Sequence, residues 1–126
     1  MNYPDNLKYT REHEWLREEG NEGVIGITAF AQKELGDIVF VDIDTVGETL
    51  AAGEKFGTLE AVKTVSDLYM PVSGKVLLVN TALEVAPETV NKYPYNEGWM
   101  IRVKLTNPIE LNGLLSASDY EDFINA

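Results

Sequence analysis

The sequence predicts a mostly β protein, a small sandwich or flattened barrel with short peripheral helices. Three observations predict it. Short β-branched and apolar runs recur along the chain, Gly- and Asn-bearing turns separate them, and helical patterning is confined to short pieces. The chain has 126 residues, 44% of them hydrophobic, and no Ser/Gly linker or charge run divides it, so a single domain over residues 1–126 is expected.

Residues 15–17 and 24–27 flank Glu18-Glu19-Gly20-Asn21-Glu22-Gly23, whose glycines and Asn supply the positive φ of a β-reversal, which predicts a hairpin. Thr28 then caps a helix reaching about Leu35, with Ile27, Ala31 and Leu35 on one face and Gly36 as its stop. Ile38-Val39-Phe40-Val41-Asp42-Ile43 is apolar almost throughout and predicts a strand buried on both faces. Residues 56–62 and 64–69 form the arms of a second hairpin, and residues 72–80 a further turn and strand. Pro87 opens a short helical turn at its first position. Residues 99–105 alternate apolar and basic, as a half-exposed strand does. Asn107-Pro108-Ile109-Glu110 reads as a cap, a first-turn proline and an acidic third residue, with Gly113 as the stop. Ser116 with Asp119 repeats the capping pattern before Tyr120, Phe123 and Ile124, which predicts a closing helix over about residues 117–125.

Composition excludes several function classes. A net charge of −11 with ten scattered Lys and Arg argues against nucleic acid and suits two readings equally, steering onto basic surfaces of partners and solubility alone. With no cysteine there are no disulfides, thiolate metal sites or cysteine nucleophile, so sulfur redox chemistry would have to arrive on a prosthetic group. No apolar run approaches a membrane span, and Met1-Asn2-Tyr3-Pro4-Asp5 lacks signal- or transit-peptide character. A bacterial cytoplasmic protein is expected, or a mature protein of the mitochondrial matrix. His13 is the only histidine, no Gly-rich phosphate loop or paired-histidine metal spacing is present, and adjacent His13 and Glu14 point to opposite strand faces. No autonomous active site and no metal are expected, and His13 is expected at the surface or lining a cleft.

One residue carries the functional signal. Lys63 sits at the bend of the hairpin over about residues 56–69, although residues 58–69 contain no Gly, Asn or Pro and only one Asp, Asp67. No other lysine lies between Lys55 and Lys75, and the β-branched Val62, Thr64 and Val65 stiffen the flanks. Acylating such an amine takes an external enzyme that supplies an activated acyl group and a base.

The run Glu60-Ala61-Val62-Lys63-Thr64-Val65-Ser66-Asp67-Leu68-Tyr69-Met70-Pro71-Val72-Ser73-Gly74 resembles the lipoylation site of the glycine cleavage H-protein family, with Lys63 at the modified position. The resemblance extends through Tyr9-Thr10, His13-Glu14-Trp15, Gly26-Ile27-Thr28, Ala31-Gln32, Leu35-Gly36-Asp37-Ile38-Val39-Phe40-Val41, Pro94-Tyr95, Gly98-Trp99 and Leu114-Leu115-Ser116-Ala117. Ala61 stands where serine is common, Met70 where serine usually precedes the proline, and Asp44 where a proline often closes the strand.

The resemblance implies a barrel-sandwich hybrid of the lipoyl/biotinyl type and a non-catalytic, monomeric carrier bearing lipoate in amide linkage on Lys63. It further implies four partners. A pyridoxal-phosphate glycine decarboxylase delivers an aminomethyl group, a tetrahydrofolate-dependent aminomethyltransferase removes it, dihydrolipoamide dehydrogenase with FAD and NAD restores the disulfide, and a lipoyl-attaching enzyme modifies the lysine. Glu60 and Gly74 are expected to serve recognition by that attaching enzyme. Glu14 and Asp67, with Glu12, are expected to offer negative charge to the cationic loaded arm in a surface cleft. Two other readings use the same hairpin: a relay protein that supplies lipoyl groups to other domains, and a biotinyl carrier. In the latter the lysine typically lies between methionines, whereas here Val62 and Thr64 flank it.

Overall fold

The computed structural model describes residues 2–126. Nine strands form two antiparallel sheets: β1 Lys8–Tyr9, β2 Glu14–Glu19, β3 Glu22–Ile27, β4 Ile38–Asp42, β5 Thr49–Leu50, β6 Lys55–Ala61, β7 Val65–Tyr69, β8 Gly74–Val79 and β9 Ile101–Leu105. The larger sheet runs β1-β2-β3-β9-β8-β5 and the smaller β4-β6-β7. Around them lie the helices α1 Ala29–Leu35, α2 Ala82–Val85, α3 Thr89–Lys92 and α4 Ala117–Ile124, and a 3-10 helix Pro108–Gly113. This is the flattened barrel-sandwich that the sequence predicts.

Strand alternation divides the interior in two. Leu16, Ile25, Ile27, Ile101 and Val103 of the larger sheet face Ile38, Val41, Phe56, Leu59 and Leu68 of the smaller one across the main core. Trp15 and Val24 point the other way, into a second cluster with Tyr3, Leu7, Tyr9, Ala117 and Tyr120 beneath α4. Gly26 makes this layer possible, since a Cβ there would lie 2.7 Å from the Trp15 ring. The indole Nε1 donates to Pro94 O at 2.9 Å, and Tyr95 Oη accepts from Ala29 N at 2.9 Å, so the Pro94-Tyr95 pair ties β2 to the start of α1.

Local signals hold where the side chain reaches its own backbone. Thr28 Oγ1 accepts from Ala31 N and Ser116 Oγ from Asp119 N, each at 3.1 Å, so both helices begin as the sequence predicts. The first hairpin turns through Gly20, at φ 64°, whereas Asn21 and Gly23, also expected to supply positive φ, do not adopt it.

Three readings need correction. β4 is not buried on both faces: Val39 and Phe40 are about half exposed, because a bulge interrupts the register between Ile38 and Phe40 and β4 lies at the end of its sheet. Asn107 makes no side-chain cap, and the segment it precedes is a 3-10 helix. Pro87 lies before the N-cap Glu88 of α3, where its carbonyl accepts from Val90 N at 3.1 Å, rather than at the first helical position.

Candidate functional site

The β6–β7 hairpin places Lys63 in an exposed turn, Val62-Lys63-Thr64, closed by a hydrogen bond from Ala61 N to Thr64 O at 2.8 Å. Among the described residues with φ above zero, His13 is the only one that is not glycine, so the lysine turn reverses without left-handed backbone. A neighbouring loop holds it instead. Val62 N donates to Asp37 O at 3.1 Å, and Asn91 of α3 fixes that loop from both sides: its Oδ1 accepts from Ile38 N and its Nδ2 donates to Gly36 O, each at 2.9 Å. Nothing in the local sequence marks Asn91 for this part, since its partners lie more than fifty residues away. Among the described residues the Lys63 ammonium has no ion-pair partner.

A groove leads away from that amine. A depression of about 360 Å³ is lined by Lys33, Glu34, Leu35, Gly36, Asp37, Val62 and Lys63. It shares Glu34 and Leu35 with a second depression of about 400 Å³, whose walls also include Glu12, His13, Phe30, Ala31 and Ser66. Through Glu12 this joins a third of about 350 Å³, where Thr10, Glu14, Gly53, Tyr69, Met70 and Pro71 meet. The middle stretch sets apolar Phe30, Ala31 and Leu35 between the carboxylates of Glu34 and Glu12.

Glu14 closes the far end and is only 2% exposed. Its Oε1 accepts from Thr10 Oγ1 at 2.8 Å and its Oε2 lies 3.4 Å from Tyr69 N. Burial pushes its carboxyl up to about 7, against the opposing effect of those two donors, and Glu12 adds repulsion. Buried and facing no cation among the described residues, its ionised form favours an incoming one.

His13, at φ 70°, points its ring toward α4, with Nδ1 2.8 Å from Tyr120 Oη, which in turn lies 2.8 Å from Thr28 Oγ1. Burial holds the imidazole below its usual range. The residue is half-buried and lines the middle of the groove, as a cleft histidine was expected to.

The expected site residues do not all converge. Glu12 and Glu14 line the groove. Asp67 lies on the outer face of the smaller sheet, with Lys55 Nζ 3.3 Å from Oδ1 and Tyr69 Oη 3.4 Å from Oδ2. Glu60 is exposed on that same face, opposite Phe40 and Val65. Gly74 is buried within the larger sheet, where a Cβ would come within 2.8 Å of Lys104 O.

No described helix is long and apolar enough to cross a membrane. The model of the glycine cleavage H-protein family matches residues 7–126. A glycine cleavage system H protein of Bacteroides fragilis is 59% identical over 126 residues, covering 100% of both chains. One of Bacteroides thetaiotaomicron is 58% identical over 125 residues and covers 99% of each. The crystal structure of a glycine cleavage system H protein from Mycobacterium marinum superposes with a TM-score of 0.89 at 40% identity, over 98% of this chain and 100% of that one. Sequence and architecture agree along almost the entire length, and the chain belongs to the glycine cleavage H-protein family.

Proposed function

We propose that this protein is the non-catalytic lipoyl carrier of glycine cleavage in the bacterial cytoplasm, with lipoate joined in amide linkage to Lys63. The observation that carries the reading is the pairing of an unpartnered amine on a stapled turn with a groove that runs from it to a buried carboxylate. The residues present fit the group. Amide formation removes the lysine charge, and Leu35 beside the turn, with Phe30 and Ala31 in the next depression, offers an apolar wall.

When bound, the lipoyl group supplies a reversible disulfide that accepts electrons and a one-carbon amine. The chain binds, orients and shelters. Glu14 presents a carboxylate to the ammonium of the cargo, and the attraction between them draws its proton equilibrium back toward the ionised form. Glu12 stands at the junction of two depressions and adds negative charge along the path. Asp67 joins them only by exchanging its Lys55 partner, so Glu14 is the principal counter-charge.

In this reading the decarboxylase, the aminomethyltransferase, dihydrolipoamide dehydrogenase and the attaching enzyme each approach the same turn, and the tether raises the effective concentration of the reacting group at a docked partner. Glu60, three residues before the lysine and exposed, serves recognition directly. Gly74 acts at a distance, by letting β8 and β9 pack closely beneath the hairpin.

Intact mass and peptide mapping of protein from a lipoate-competent host test the proposal. A lipoyl increment confined to Lys63 is expected. An unmodified Lys63 or a biotinyl increment contradicts it.

A further inference from the structure

We infer that the outer face of the β4-β6-β7 sheet is the docking surface for the decarboxylase, and that it fits a protein surface with an apolar recess beside its channel mouth and a Lys/Arg cluster behind. The inference rests on the carrier reading above.

Register lays the face out in rows. Phe40, Glu60 and Val65 stand side by side across the three strands, next to the lysine turn. The next row with the same orientation is Asp42, Thr58 and Asp67. Phe40 is 48% exposed and Val65 61%, Val39 in the bulge is 49%, and Val62 in the turn is 71%. Four of the large exposed apolar side chains thus gather around Lys63. Such a cluster costs solubility unless something covers it.

Charge identifies the occupant. Asp42, Glu60 and Asp67 stand against one cation on the strands, Lys55, with Lys63, whose charge acylation removes, at the edge of the face, within a chain of net charge −11. A second copy would bring carboxylates onto carboxylates, whereas a cationic partner gains attraction and register from the same rows. The decarboxylase meets the arm as a neutral dithiolane amide, which offers no charge to steer by, so its encounter and orientation depend on the protein surface. The aminomethyltransferase, by contrast, meets a cationic arm and the attaching enzyme a cationic lysine.

Two readouts test this. The first is direct binding of the unacylated carrier to the decarboxylase at low salt, which needs no arm. Phe40→Ser and Asp42→Lys are each expected to weaken binding five- to tenfold, and the β-branched isostere Val65→Thr two- to threefold. Ile109→Ser, a still more exposed apolar site on the 3-10 helix, is expected to leave binding unchanged. The second is glycine-dependent carbon dioxide exchange with fully acylated carriers. The carrier concentration at half-maximal rate should rise in the same order while the maximal rate holds. Unchanged binding and half-saturation in both Phe40→Ser and Asp42→Lys overturn the inference, as does a defect confined to the acylation step, which would give the face to the attaching enzyme. If Lys63 is never lipoylated the carrier reading fails, yet the binding result still decides the docking face.

Discussion

At the scale of single residues, two side chains carry the proposed function. Lys63 was legible because its turn lacks the residues that make turns, and because the flanking run carries the family resemblance. Glu14 was named from that resemblance, but its burial was not legible: it follows from strand register, which sets it opposite Ile27 at the rim of the main core. Burial has a measurable consequence. The carboxyl titrates near 7 in the folded protein against 4.5 for the free group, so between those values the folded state holds the extra proton. Stability from this group is therefore full below about pH 4.5 and is lost as pH rises through 7, by about 3 kcal/mol in all. Urea unfolding of Glu14→Gln against the parent should show a difference near zero at acid pH that grows in the variant's favour up to about pH 7. A difference that stays flat across this range contradicts the assigned burial.

At the scale of elements, the sequence was informative wherever a feature is local. The caps of α1 and α4 and the Gly20 turn each involve side chains or dihedrals within four residues of one another, and each was correctly foreseen. Features set by distant partners were not. The apolar run of β4 signals burial on both faces, yet its outer side chains stay exposed at a sheet edge, and the short helix α2 carried no signal strong enough to place it. The same limit hid the staple of the lysine turn, which passes from Asn91 through the 36–38 loop to Val62. Asn91→Ala leaves Ile38 N and Gly36 O without that partner and should cost about 1–3 kcal/mol. Hydrogen exchange should then accelerate at Val62 more than at amides of β2 and β3. Equal acceleration everywhere would show that Asn91 stabilises the fold without holding the turn.

At the scale of the whole molecule, the two-layer interior explains why the resemblance spans nearly the whole chain. Tyr9, Trp15, Tyr95 and Tyr120 belong to the second cluster beneath α4, Gly26 and Pro94 seat the Trp15 ring, and the cluster supports the start of β2, where Glu14 and the preceding His13 line the groove. The groove, the turn and the outer sheet face then lie together at one end of the molecule, and in the proposed function they take separate parts: the first would shelter the arm, the second anchor it and the third meet a partner. A net charge of −11 opposes self-association and favours cationic surfaces, in keeping with the proposed docking face. All of this depends on a single anchor. The most direct measurement is glycine-dependent carbon dioxide exchange with Lys63→Arg, which keeps the charge and length of the side chain but cannot form the lipoyl amide. The account predicts exchange at the level of a reaction without carrier, with thermal unfolding unchanged; exchange at the parent rate would contradict it.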